Sequence, residues 1–189
     1  MRHFILYSRG GQTSGNFKNL REAGRLDIVA HCLTSSFFIS HALRKDVFLH
    51  IILTGPPSPP KYIKVDGSKI HDVRCDEETW GQILKNVLSG NSHPGFEIQS
   101  KSLQEVIREL SKDNDIYVLE EKGENINKTK FKENSVFVIG DQVGLPKNDE
   151  SFVLRYGKKI SLGKKAYLAA DCITIINYTL DSNSSNNKK

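Results

Sequence analysis

The most constraining stretch of this 189-residue chain is Val47-Phe-Leu-His-Ile-Ile-Leu53, followed by Thr54 and then Gly55-Pro-Pro-Ser-Pro-Pro60. A nearly continuous apolar run has no face to offer to water. It reads as a strand buried on both sides, the signature of a parallel sheet covered by helices. Proline lacks an amide donor and fixes φ, so the segment after it is neither helix nor central strand. It must be a rigid, extended loop at the strand's end.

Weaker signals fill in the rest. Phe4–Tyr7, Tyr62–Val65, Phe96–Ile98, Ile116–Leu119, Val136–Ile139 and Ile160–Leu162 predict short strands. Apolar residues close to helical spacing predict one long helix over Leu26–Leu43. Glu77–Leu88 behind Asp76, and Leu103–Leu110 behind Ser102, predict two helices with side-chain N-caps. Tyr167–Leu180 predicts the last. Gly10–Gly15 reads as a flexible loop, and Asn86–Gly95 as the best hinge candidate. Strands alternating with helices give an α/β fold with a mostly parallel sheet flanked by helices. No repeat or boundary divides it, so one domain is expected over residues 1–181. The Ser/Asn/Lys-rich residues 182–189 are expected to be a disordered tail.

Composition excludes several classes. No run approaches the roughly 20 apolar residues of a membrane span, and Arg9 and Gly10 interrupt the N-terminus too early for a signal peptide. The three cysteines, Cys32, Cys75 and Cys172, are widely separated and show no metal-ligand spacing, so no metal site is expected. The cytoplasm is the expected compartment. The formal charge is +5, which permits a nucleic-acid partner without demanding one.

Two segments near the C-terminus carry the chemistry: Ser135-Val-Phe-Val-Ile-Gly-Asp-Gln-Val-Gly-Leu-Pro146 and Lys159-Ile-Ser-Leu-Gly-Lys-Lys-Ala-Tyr-Leu-Ala-Ala-Asp-Cys-Ile-Thr174. Each reads as a strand running into a Gly-containing loop. Neither fits the P-loop or the dinucleotide fingerprint. They suit a nucleoside ligand held mainly by backbone groups, with no triphosphate.

These segments resemble the cofactor-binding knot of the SPOUT class of RNA methyltransferases. Gly24-Arg-Leu-Asp-Ile-Val-Ala-His31, Ser40-His-Ala-Leu-Arg-Lys-Asp-Val47 and Leu53-Thr-Gly-Pro-Pro-Ser-Pro-Pro60 are similar to the N-terminal half of the archaeal tRNA pseudouridine-54 N1-methyltransferases. The resemblance implies a C-terminal trefoil knot and S-adenosylmethionine as cofactor. It further implies methylation of N1 of pseudouridine 54 in the tRNA T-loop, and a homodimer. The rivals are the related ribosomal-RNA pseudouridine N1-methyltransferase and a non-catalytic knotted RNA-binding or ribosome-assembly protein.

Within that resemblance the cofactor residues are Leu119, Gly140, Leu145, Ser161, Leu162, Gly163, Leu168 and Cys172. Leu119, Ile139, Leu162 and Leu168 suit an apolar slot for the adenine. Glycines 140 and 163 suit close approach of the backbone to the ligand. The bland reading is ordinary strand-end turns, with Cys172 as plain core. Methylating N1 of pseudouridine requires removal of its proton, and Asp27 is the candidate acceptor. Its alternative is a first-turn Asp favoured by the helix dipole. Arg25, assigned beside Asp27 to the catalytic pair, suits a bidentate phosphate contact, or else an ion pair with Glu22 or Asp27. Arg44, Lys45, Lys164 and Lys165 are the further RNA candidates. Asp141 faces the sulfonium or caps a turn. Tyr167 stacks on a base or packs the last helix. His31 and His41 are read as structural or surface residues of the long helix.

Overall fold

The structure, a computed structural model, describes residues 1–186, with side chains through Asn183. The chain runs β1 (Arg2–Ser8), α1 (Leu26–Phe37), a short pair β2 (Phe38–Ile39) and β3 (Ala42–Leu43), β4 (Val47–Leu53), β5 (Lys61–Asp66), α2 (Glu77–Leu88) and β6 (Phe96–Gln99). It continues through α3 (Leu103–Leu110), β7 (Asp115–Asn125), a 3-10 turn at Ile126–Lys128, β8 (Ser135–Gly140), α4 (Lys147–Val153), β9 (Gly157–Ser161) and α5 (Ala169–Asn186).

One seven-stranded sheet has the order β6-β5-β4-β1-β8-β7-β9. The pairs β4–β1, β1–β8, β8–β7 and β7–β9 are parallel, while β5 and β6 add antiparallel pairs at one edge. The mostly parallel α/β sheet expected from the β4 run is therefore present. Period-two alternation sends Phe4, Leu6, Leu49, Ile51, Phe137 and Ile139 into one core beneath α1, α2 and α5. Ile5, Tyr7, Ile52, Val136 and Val138 join α3 and α4 in the other. Both predicted caps are made: Thr79 N–H donates to Asp76 at 2.7 Å, and Ser102 and Glu105 form a reciprocal capping box.

Four segments differ from the sequence expectation. The helix from Leu26 ends at Phe37, because Phe38 turns extended and Arg44 N–H bonds back to the Phe37 carbonyl at 2.7 Å. A β2–β3 hairpin follows, with His41 at φ 64°, so His41 lies in a turn and not in a helix. Phe38 packs edge-on against buried Trp80, a tertiary contact that outweighs helical spacing. The Gly10–Gly15 loop is tied down: Gln12 N–H bonds the Ala23 carbonyl, Gly55 N–H the Gly11 carbonyl, and Thr13 is buried. Helix α4 was not foreseen. The last helix continues past Leu180 to Asn186, carrying helix into the expected tail, while residues 187–189 lie outside the described residues.

β7 matters most for the site. Both Leu119 and Glu124 register against Ile160, so residues 120–123 loop out between them. Gly123 is needed there, because a Cβ would sit 2.4 Å from the Ile160 backbone carbon.

Candidate active site

The irregular middle of β7 and the C-terminal ends of β8 and β9 converge on a cavity of about 240 Å³. Seven of the eight expected cofactor residues line it: Leu119, Gly140, Leu145, Ser161, Leu162, Gly163 and Cys172. They come from positions spanning more than fifty residues, brought together because β7, β8 and β9 are neighbours in the sheet. The eighth, Leu168, does not join them; its side chain is 70% exposed and outside the lining. It sits just before α5, where its carbonyl accepts the Cys172 amide at 2.9 Å. Sequence reasoning missed Glu120, Glu121 and Gly144 as lining residues, had placed Lys165 toward RNA, and had left Tyr167 between base stacking and packing of the last helix.

The two glycines serve different ends. A Cβ on Gly163 would meet nothing within 4 Å, and its φ of 126° is one that side-chain-bearing residues avoid. Gly163 thus borders open space in a loop that lines the cavity. A Cβ on Gly140 would lie 2.5 Å from the Gly144 carbonyl carbon and 2.6 Å from the Leu145 nitrogen. Gly140 is required by its own loop as well as lining the cavity. Ser161 shapes the second loop: its hydroxyl accepts the Gly163 N–H and donates to the Gly163 carbonyl, both at 3.1 Å. Burial pushes the Cys172 thiol up to about 11, so it is a neutral wall and no nucleophile.

Asp141 is the turn cap. Its carboxylate accepts the Val143 amide at 2.9 Å and the Arg9 amide at 2.7 Å, fastening the cavity loop to the exit of β1. Arg25 and Asp27 are not among the residues that line the cavity. Arg25 sits at the N-cap of α1 in the left-handed region, φ 67° and ψ 40°. A non-glycine residue there is uncommon and strained. Its guanidinium grips Asp27 in a fork, Nε to Oδ1 at 3.0 Å and a terminal nitrogen to Oδ2 at 2.9 Å. That pair holds the Asp27 carboxyl below the ordinary carboxylate range, and Asp27 is only 13% exposed. The ion-pair alternative is the resting state here.

Lys164 and Lys165 lie exposed on the loop over the cavity. Arg44 and Lys45 do not come near it. They precede β4, at the end of the sheet opposite the cavity, roughly 20 Å away for a seven-residue strand. Arg44 is instead consumed by a bidentate pair with Asp181, at 3.1 and 2.6 Å, which Arg2 also joins. That pairing ties α5 to the entry of β4 and gives Arg44 a structural partner that the sequence did not suggest. Among the described residues no group of three or more His, Cys, Asp or Glu side chains is placed to hold a metal ion, and no helix is long and apolar enough to cross a membrane.

The family model described as a SAM-dependent RNA methyltransferase matches residues 1–185. A tRNA (pseudouridine(54)-N(1))-methyltransferase of Thermococcus kodakarensis is 34% identical, over 96% of this chain and 99% of its own. The Methanocaldococcus jannaschii protein of the same name is also 34% identical, over 96% and 97%. The chain belongs to this family of methyltransferases. Among solved structures, Archaeoglobus fulgidus Nep1 bound to S-adenosylhomocysteine superposes with a TM-score of 0.57 at 15% identity, over 84% of this chain and 71% of its own. The SpoU methyltransferase AviRb of Streptomyces viridochromogenes, in complex with AdoMet, gives 0.51 at 13% identity, over 96% and 57%. At such identities they establish a shared SPOUT-type methyltransferase fold.

Proposed function

We propose that this chain methylates N1 of pseudouridine 54 in the tRNA T-loop, using S-adenosylmethionine bound in the β7–β8–β9 cavity. The observation that carries the reading is the convergence of Leu119, Gly140, Leu145, Ser161, Leu162, Gly163 and Cys172 on one cavity, in a chain whose full-length relatives bear that activity in their names. The lining fits such a cofactor: apolar walls for the base, backbone groups at Gly140 and Gly163, and no cradle for a triphosphate. When bound, the cofactor supplies a methyl group already activated on a sulfonium.

The chain's residues then orient, exclude water and take a proton. Leu119, Leu145 and Leu162 keep the slot dry. Asp27 accepts the N1 proton as N1 gains the methyl, directly or through one water. Arg25 releases Asp27 by shifting its fork to an RNA phosphate, the ligand geometry it matches best. Lys164 and Lys165 add phosphate contacts at the mouth. The trefoil knot belongs to the same proposal. The chain leaves β9 at the sheet edge and returns so that α5 packs on α1 and β8, which supports it. So does homodimerisation, for which exposed Tyr167, Leu168 and Tyr178 on and beside α5 offer apolar surface. The same reading takes the cytoplasm as the compartment of the reaction, where a tRNA substrate is met.

Mass spectrometry of tRNA incubated with protein and S-adenosylmethionine tests the reading. The expected product is one methylated pseudouridine at position 54. RNA with uridine at that position should not react, because the glycosidic bond occupies its N1. Methylation at a ribosomal-RNA pseudouridine alone, or cofactor binding without turnover, would replace it with one of the two rivals.

A further inference from the structure

Among the cavity's lining residues the charged side chains are Glu120, Glu121 and Lys165. Glu120 and Glu121 belong to the irregular segment of β7 between Leu119 and Glu124, both of which register against Ile160 of β9. Glu120 is half-buried, Glu121 exposed, and among the described residues neither makes a hydrogen bond or an ion pair. Lys159, whose charge reaches Glu120, is already committed to Glu150. Burial and the Glu150 charge both raise the Glu120 carboxyl above its ordinary range. A half-buried carboxylate with no partner is costly unless a cation arrives to compensate it. The rest of the wall is apolar or backbone, apart from the Ser161 hydroxyl, which is engaged within its own loop, and Tyr167.

We propose that Glu120 is a specificity residue that distinguishes the sulfonium cofactor from the neutral thioether product, by placing one uncompensated carboxylate beside the sulfonium. The inference rests on the cofactor occupying this cavity. The reasoning is electrostatic. S-adenosylmethionine and S-adenosylhomocysteine share their adenosine, carboxylate and ammonium, and differ in the sulfonium charge and its methyl. Only a charge facing the sulfur can separate them strongly, and a half-buried one is screened less than an exposed one. Glu120 therefore outranks Glu121. Loss of the sulfonium charge on transfer then leaves Glu120 uncompensated again, which favours product release.

Isothermal titration of the intact protein with S-adenosylmethionine, S-adenosylhomocysteine, and an analogue bearing an amino group in place of the methylsulfonium tests this. In Glu120→Gln, affinity for the two ligands charged at that position should fall about tenfold. Affinity for S-adenosylhomocysteine should stay within about twofold, which also reports that the variant is folded. Glu121→Gln should change all three less. Equal weakening of all three ligands would move Glu120 to the ammonium shared by them and overturn the proposal. So would three unchanged affinities. The cavity itself is tested separately by Gly163→Val: if that variant loses S-adenosylhomocysteine binding while Glu120→Gln discriminates nothing, the cavity stands and only the sulfonium role falls.

Discussion

Acid should weaken this protein through a buried histidine pair remote from the cavity. His3 Nδ1 lies 3.0 Å from His50 Nε2, and His50 Nδ1 lies 2.7 Å from the Tyr62 hydroxyl. The three rings stack in sequence, with centroids 5.3 and 5.9 Å apart. Burial, with the N-terminal amine and Lys64 nearby, lowers His3 from 6.5 to about 4; burial lowers His50 well below its ordinary value. A histidine depressed in the folded state is protonated first in the unfolded chain. Its contribution is therefore complete above pH 6.5 and is lost as pH falls from 6.5 through 4. For His3 alone the loss is about 2 kcal/mol at pH 5 and about 3 kcal/mol at pH 4. At pH 5 that corresponds to a fall in Tm of roughly 4–8 °C for a chain of this size. The assay is urea or thermal unfolding at pH 7.5, 6, 5 and 4.5 for the parent and for His3→Gln. The variant keeps a hydrogen-bonding side chain but cannot titrate, and the two proteins share every carboxylate. The stability gap between them should shrink toward low pH by about 2 kcal/mol at pH 5. Parallel profiles would refute the reasoning, since they would mean that His3 binds its proton equally in both states.

Three further outcomes concern the site. Gly163→Val should cut S-adenosylhomocysteine affinity at least tenfold with an unchanged circular dichroism spectrum, because its side chain enters open space in a loop that lines the cavity, from a backbone angle it cannot hold. Asp27→Asn should lower kcat about 100-fold or more in single-turnover methylation while cofactor affinity stays level; a normal rate would leave water or the RNA to take the proton. Arg25→Ala should weaken tRNA binding and flatten its log–log salt slope by about one unit in filter-binding or anisotropy titrations.

How legible the fold was depended on whether a segment answered to local or distant demands. The β4 run and its proline loop were legible because burial on both faces leaves no polar positions, and because proline's constraint is intrinsic. The cavity loops were legible through their glycines. Leu168 was not: apolarity suggested a slot residue, yet the chain turns into α5 at Ala169 and leaves that side chain outside. Arg44 misled for a different reason, since the carboxylate that claims it is 137 residues away. Glu120 was invisible because a looped-out segment obeys neither a strand's nor a helix's period. The end of α1 was hidden because Phe38 and Ile39 continue the apolar spacing while the contact with Trp80 decides their conformation.

The Arg25–Asp27 pair constrains the chemistry more than the identity of either residue does. A carboxylate clamped by a guanidinium fork is a poor base, because two of its lone pairs are occupied and its proton affinity is depressed. The same clamp stops Asp27 from repelling an incoming phosphate backbone. If RNA draws Arg25 away, Asp27 gains basicity only once substrate is bound, at the step where the N1 proton must leave. The strained left-handed backbone of Arg25, between Gly24 and the first turn of α1, goes with a guanidinium held against Asp27. The two roles are then sequential states of one ion pair. Removing Arg25 should therefore raise the Asp27 pKa in the free enzyme and move the acidic limb of the kcat/KM profile upward, whereas a purely structural pair would alter stability and leave that limb in place.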